Sequence, residues 1–247
     1  MLAGRLLSLA FLLAPARSQA PIDLPEVRQD AGSMDCAPAA AASSILWLRT
    51  HGFPGLWADE APGALVEELA RRMRTRERRG TFAKRFLTGV ESFVRSRGLR
   101  ARRLEYRGRA PHPARFGPDG VAPDAGWLRA ALASKAVVWL GIGRYRRQDR
   151  GGVLRRESGH WVSLAGVDVD ERGAAGAASL VIRNPAHGAP QSLETLGTEP
   201  LADGILAGKE GEPEVPAAGF SRIVSGFKTR RGQIAVVDSA VVLELRP

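Results

Sequence analysis

The chain holds one cysteine, Cys36, and four histidines, His51, His112, His160 and His187. A thiol with an imidazole in reach can carry out nucleophilic acyl transfer. The ring removes the sulfur's proton, the thiolate attacks a carbonyl, and a third group fixes the ring. Cys36 lies in Asp35-Cys36-Ala37-Pro38-Ala39-Ala40-Ala41-Ala42, which reads as a helix start. Asp35 is a favoured N-cap, Pro38 is tolerated in a first turn, and the alanine run with Ile45, Leu46 and Leu48 is helix material with an apolar stripe. Unpaired backbone N–H groups and the positive end of the helix dipole are expected to lower the pKa of a thiol placed there.

The histidines differ in how well they could serve that sulfur. His51 is at the far end of the same helix, about 22 Å away at 1.5 Å per residue, and cannot touch it. His112 is set between prolines in a loop, and His187 follows Asn184-Pro185-Ala186 in a turn, where it stays a rival. His160 is the best placed, directly after Gly159 at the head of the apolar run Trp161-Val162-Ser163-Leu164-Ala165, where a rigid strand meets a loop. Asn184 ends the next strand, and its amide oxygen can accept one ring N–H and leave the other nitrogen for sulfur. Asn184 also reads as a plain turn residue before proline. Asp168 and Asp170 lie further along the His160 strand, about 25 Å or more away. For the oxyanion, the backbone N–H of Cys36 is one donor and the side-chain amide of Gln29 another, although Gln29 reads equally as loop. No cofactor or metal is expected, because a lone cysteine with scattered histidines offers no ligand pair at recognised spacing.

The elements that must position these residues follow from periodicity. After the first helix, Gly52 suits a C-cap. Leu65, Leu69 and Met73, then Phe82, Phe86 and Val90 with Phe93, repeat at helical spacing and predict two amphipathic helices separated at Gly80. Leu99 to Tyr106 reads as a strand, Arg107 to Gly120 as a loop, and Asp124 as the cap of a helix through Leu132. Ala136 to Ile142 suits a buried strand, and Arg144 to Gly159 reads as a polar loop. His160 to Asp168 and Ser179 to Arg183 form a hairpin, and β-type alternation resumes over Phe220 to Lys228 and Gln233 to Leu245. Helices first and antiparallel strands after are an α+β pattern.

Residues 1–20, a short apolar run ending at Ser18-Gln19-Ala20, read as a cleaved signal peptide. Residues 21–190 then form the main domain and 191–247 a β-rich C-terminal extension of it. The protein is expected to be secreted or periplasmic, with no transmembrane segment in the mature chain. The formal charge of +10 is concentrated between Arg71 and Arg109, which holds fifteen Lys or Arg against Glu77, Glu91 and Glu105. That density suits an anionic surface or acidic peptide segments, or a solvated helical face. Aromatic residues there are too sparse to stack bases in series, so no nucleic acid is expected as partner.

Gln29, then Asp35-Cys36-Ala37-Pro38-Ala39, then Gly159-His160-Trp161-Val162 opening an apolar strand, then Asn184-Pro185-Ala186-His187-Gly188, together resemble the bacteriocin-processing-type cysteine peptidases of the papain-like superfamily. The likeness covers about residues 25–190 and is closest to the free-standing secreted branch, without the fused transporter. Ala37 stands where that family usually has glycine, Asn184 where it often has aspartate, and Gln29 is seven rather than six residues before the cysteine. The resemblance implies a papain-like α+β fold, with a central nucleophile helix packed on an antiparallel sheet. It also implies Cys36 as nucleophile, His160 as base, Asn184 as orienting residue and Gln29 as oxyanion donor. The leading expectation is therefore a secreted thiol hydrolase acting on a peptide or protein substrate. The alternatives are a non-catalytic papain-like module that binds a peptide, glycan or anionic surface, and a basic surface-binding protein whose thiol is incidental.

Overall fold

The alanine run behind the cysteine forms helix α1 (Cys36–Thr50), buried from Cys36 to Leu48. Its small side chains let the helix lie close to the sheet beneath. The Ala40 carbonyl accepts Ser163 Oγ at 2.7 Å and Trp139 Nε1 at 3.2 Å from that sheet. Asp35 does not cap this helix with its side chain as expected; its backbone carbonyl accepts the Ala39 N–H at 2.9 Å instead. The computed structural model describes residues 20–58, 61–148, 151–169, 176–190, 192–208 and 212–246. The signal segment expected over 1–20 lies outside the described residues except for Ala20, as does most of the connection between the expected hairpin strands His160 to Asp168 and Ser179 to Arg183.

Of two amphipathic helices, α2 (Pro62–Met73) packs on α1 and buries Leu65, Leu69 and Met73, and α3 (Ala83–Ser96) packs on α2 and β1 and buries Phe86, Val90 and Phe93. They cross at Gly89, where a Cβ would stand 2.6 Å from Met73 Cγ and 2.8 Å from Met73 Cα. Because part of that contact is backbone, Gly89→Ala must push the helices apart. The expected cost is about 2 kcal/mol of stability, read as a lower urea midpoint at unchanged m-value.

The strands are β1 (Ala101–Gly108), β2 (Val137–Arg147), β3 (Val153–Val169), β4 (Ala178–Arg183), β5 (Glu194–Pro200), β6 (Ile205–Ala207), β7 (Val215–Pro216), β8 (Ser221–Ser225) and β9 (Gln233–Leu245). Helix α4 (Ala125–Ala133) precedes β2, and here the expected cap is made, with Asp124 Oδ1 accepting the Trp127 N–H at 2.8 Å. The pairing is antiparallel apart from the short parallel contact of β3 with β6, so the sheet is mixed and the fold is α+β. The pairings β2·β3, β3·β4, β4·β5, β5·β8, β8·β9 and β9·β2 close a ring of six strands.

Alternation sorts side chains to the two surfaces of that ring. Val138, Leu140, Ile142, Val162, Leu164, Ile182 and Val242 form one core with Leu128 and Leu132 of α4. Trp139, Trp161, Ala165, Val241 and Leu243 face the other way and join the helices in a second core. β9 lies between β1 and β2, so residues in the expected C-terminal extension supply a central strand. The expected loop over Arg144 to Gly159 is corrected. Arg144 to Arg147 continue β2, Val153 to Gly159 begin β3, and the two arms pair as a long hairpin. His160 therefore stands within a strand and not at its head. Among the described residues, no helix is long and apolar enough to cross a membrane.

Candidate active site

Cys36 opens α1 at the point where the helix meets β3. β4 pairs with β3 only from Ser163 onward, so the strand edge at Trp161 is open, and its backbone N–H reaches the Cys36 sulfur. The Trp161 side chain fixes this junction by stacking on Phe86 of α3 and donating Nε1 to the Thr81 carbonyl at 3.1 Å. His160, the preceding residue, is half-buried, and its Nε2 lies 2.8 Å from Asn184 Oδ1, just past the end of β4. Asn184 Oδ1 also accepts the Ala186 backbone N–H at 3.1 Å. A backbone N–H can only donate, so that atom is the amide oxygen, His160 Nε2 carries the proton, and Nδ1 keeps a free lone pair. The turn role and the orienting role of Asn184 thus coincide in one side chain.

Gln29 joins the same corner of the fold. Its backbone N–H donates to the Pro185 carbonyl at 2.9 Å, and its side-chain Nε2 donates to the Ser33 carbonyl at 3.1 Å, in the loop leading to Cys36. Its Oε1 is buried without a hydrogen-bond partner. The Gln29 amide is thus held on its own loop, while backbone N–H groups contact the sulfur. His51 stacks on Trp47 at the far end of α1, His112 lies against Tyr106 with Nε2 3.1 Å from the Gly117 carbonyl, and His187 is exposed.

Burial reverses the expected tendency of the thiol to ionise. Desolvation pushes Cys36 above its ordinary pKa, and the neighbouring Asp35 carboxylate adds to the rise. The backbone N–H groups of Trp161, Ala37 and Cys36 pull the other way but do not overcome burial. His160 is shifted down, chiefly by burial and further by the Arg144 guanidinium, against the Asn184 bond that favours its protonated form. Arg144 lies over Phe227 at 4.7 Å and is electrostatically coupled to both Cys36 and His160.

Cys36 lines a cleft of about 240 Å³. One lip is the turn between α2 and α3, with Arg78, Arg79 and Phe82; Met34 stands beside it, and β3 from Arg156 to Gly159 faces it. Met34 and Phe82 are large apolar side chains that stand exposed on the surface. At the floor, β9 bulges opposite Gly141 and Ile142, and the extra residue there is Asp238. Asp238 accepts Arg156 Nε at 2.6 Å and Tyr145 OH at 2.8 Å through Oδ2, and Ser239 Oγ at 3.1 Å through Oδ1. Gly143 makes room for this cluster, since a Cβ there would stand 2.2 Å from Asp238 Oδ2. Arg109 is buried beside it and gives Nη2 to Glu212 at 2.8 Å.

The sequence reading did not single out Asp238, Arg156 or Arg144. Asp238 did leave a signal, as the only charge in the apolar run from Ile234 to Leu243. The arginines between Arg71 and Arg109 serve several ends. Arg72 pairs with Glu68, Arg103 with Glu105, Arg97 lies over Trp57, Arg109 is buried, and Arg78 and Arg79 stand at the cleft. Among the described residues, no group of three acidic, histidine or cysteine side chains is placed to hold a metal ion. No protein-family model matches the chain, and no curated protein matches it.

Proposed function

We propose that the protein is a thiol hydrolase that cleaves peptide bonds, with Cys36 as nucleophile, His160 as base and Asn184 as the residue that holds the base's ring. The observation that carries this reading is the 2.8 Å bond from His160 Nε2 to Asn184 Oδ1, made one residue from the backbone N–H that contacts the sulfur. A thiol at a helix start, packed on a sheet that carries the imidazole, is also what supports the papain-like fold and the relationship to bacteriocin-processing-type peptidases. A secreted or periplasmic location rests on the sequence of residues 1–20.

With the thiol shifted up and the imidazole down, the resting pair is neutral, and the proton moves during attack. Nδ1 takes the thiol proton as sulfur bonds to the carbonyl carbon and the carbonyl electron pair moves onto oxygen. The backbone N–H of Cys36 meets that oxyanion. Collapse breaks the C–N bond as Nδ1 returns the proton to the leaving amine. Nδ1 then activates water to hydrolyse the thioester. Asn184 accepts the Nε2 proton throughout and steadies the imidazolium that forms transiently.

The reactive form carries one proton on the Cys36–His160 pair. Activity therefore rises as pH passes upward through the lower pKa of the pair and falls as it passes the upper one. Burial moves these apart, which places the acid limb of kcat/KM below 6.5 and the alkaline limb above 9.0. A pH–rate profile on any cleaved peptide checks this, and a narrow optimum between those values would contradict it.

The function itself is tested by incubating the protein with a mixed peptide library and reading new termini by mass spectrometry. Cleavage is expected from the wild type and not from Cys36→Ala. Cleavage unaffected by that substitution would overturn the assignment. The burial of Cys36, only 8% exposed, favours the second reading, a non-catalytic cleft that captures a peptide. Peptide binding without cleavage, with a slowly alkylated thiol, would establish that one.

A further inference from the structure

The cleft beside Cys36 has a cationic wall that acyl transfer does not use. Arg156 donates only Nε to Asp238 and has no hydrogen-bond partner for its two Nη groups among the described residues. Its side chain is 23% exposed, so that edge is open to the cleft. The guanidinium lies against Gly159, where a Cβ would stand 2.2 Å from Nη2, so the absent side chain is what leaves room for it. Arg109, on the same lining, is 3% exposed and has a buried Nε without a partner. Arg78 and Arg79 stand exposed at the mouth.

The geometry points to a binding subsite for a substrate carboxylate, held by the Nη edge of Arg156 within reach of the Cys36 thiol. This rests on the hydrolase reading for its biological use but not for its test. A guanidinium fixed through Nε presents two parallel N–H donors, the match for the two oxygens of a carboxylate. Glu157, Glu212 and Asp238 share the lining and oppose a more highly charged anion such as a phosphate, so a monoanion fits best. Met34 and Phe82 on the lip suit the methylene stem of an acidic side chain or the last residue of a peptide.

The test uses the full chain and two alkylating probes of similar size, iodoacetate and iodoacetamide. The ratio of their rates at Cys36 is compared with the same ratio for N-acetylcysteine. A charged cleft concentrates the anionic probe, so the wild-type ratio is expected to exceed that of the free thiol about tenfold and to shrink in high salt. Arg156→Gln should bring it within about twofold of the free thiol, and Arg156→Lys should keep part of it. If Arg156→Gln fails to fold, the wild-type ratio and its salt dependence still decide. A wild-type ratio equal to that of N-acetylcysteine overturns the subsite.

Two further comparisons distinguish the sources of the carboxylate. Acetyl-Glu-amide against acetyl-Gln-amide, and acetyl-Ala against acetyl-Ala-amide, are tested as protectants of Cys36. Protection by only the first acid identifies an acidic side chain, protection by only the second identifies a chain terminus, and protection by neither overturns the proposal. A carboxylate preference without peptide cleavage would keep the subsite and remove the hydrolase. Cleavage indifferent to Glu or Gln, with no iodoacetate preference, would do the reverse.

Discussion

His160→Ala is expected to lower kcat/KM for peptide cleavage by about a thousandfold while leaving the fold intact. The imidazole stands on the residue before Trp161, whose backbone N–H contacts the Cys36 sulfur, and general-base assistance is worth 10²- to 10⁴-fold. The thiol cannot compensate, because burial holds it above its ordinary pKa and leaves little thiolate at neutral pH. Asn184→Ala should cost less, because it removes the acceptor of the Nε2 proton but leaves the base. A loss for Asn184→Ala as large as that for His160→Ala would mean the turn at Pro185 had collapsed. That can be checked separately, because Gln29 donates its backbone N–H to the Pro185 carbonyl.

The largest expected effect on stability lies at the floor of the cleft. Asp238 is 2% exposed and accepts from Arg156, Tyr145 and Ser239. Asp238→Ala leaves the Arg156 guanidinium without its counter-charge and the Tyr145 hydroxyl without its acceptor inside the fold. Removing one partner of such a pair costs about 3–5 kcal/mol. Chemical unfolding of this variant should show a loss in that range, and a loss below about 1 kcal/mol would contradict the view that the cluster holds β9 to β2 and β3. Asp238→Asn keeps an acceptor for Tyr145 and should fall between the two.

Helices were legible in the sequence where their signals are local. The four-residue spacing of Leu65, Leu69 and Met73 marks one buried stripe, and Asp124 caps its helix as its position before an apolar run suggests. Asp35 misled, because the backbone before Cys36 turns so that the side chain makes no cap bond. The arms Arg144 to Arg147 and Val153 to Gly159 read as loop because they are charged, but each satisfies the other's backbone in a hairpin, which composition alone does not reveal. Ring closure was also out of reach, since it depends on β9 pairing with β2 across the whole length between them.

Of the candidate site, the residue types Cys36, His160 and Asn184 could be read from the chain, and the fold sets His160 against Asn184, with Cys36 on the strand N–H next to His160. The ionisation of the thiol was not legible. A helix start favours thiolate, but burial is a property of the packed molecule, and here it has the larger effect. Arg156 and Asp238 lie far apart in sequence, and only the bulge in β9 brings them together.

In the proposed mechanism His160 and Cys36 share one proton. The most direct test is the rate of Cys36 alkylation by iodoacetamide as a function of pH, in the wild type and in His160→Ala. Two rises are expected in the wild type, one below 6.5 as the pair loses its first proton and one above 9.0 as it loses the second. In His160→Ala the lower rise should vanish and leave one above 9.0. A single rise at the same pH in both proteins would mean that His160 does not act on the thiol.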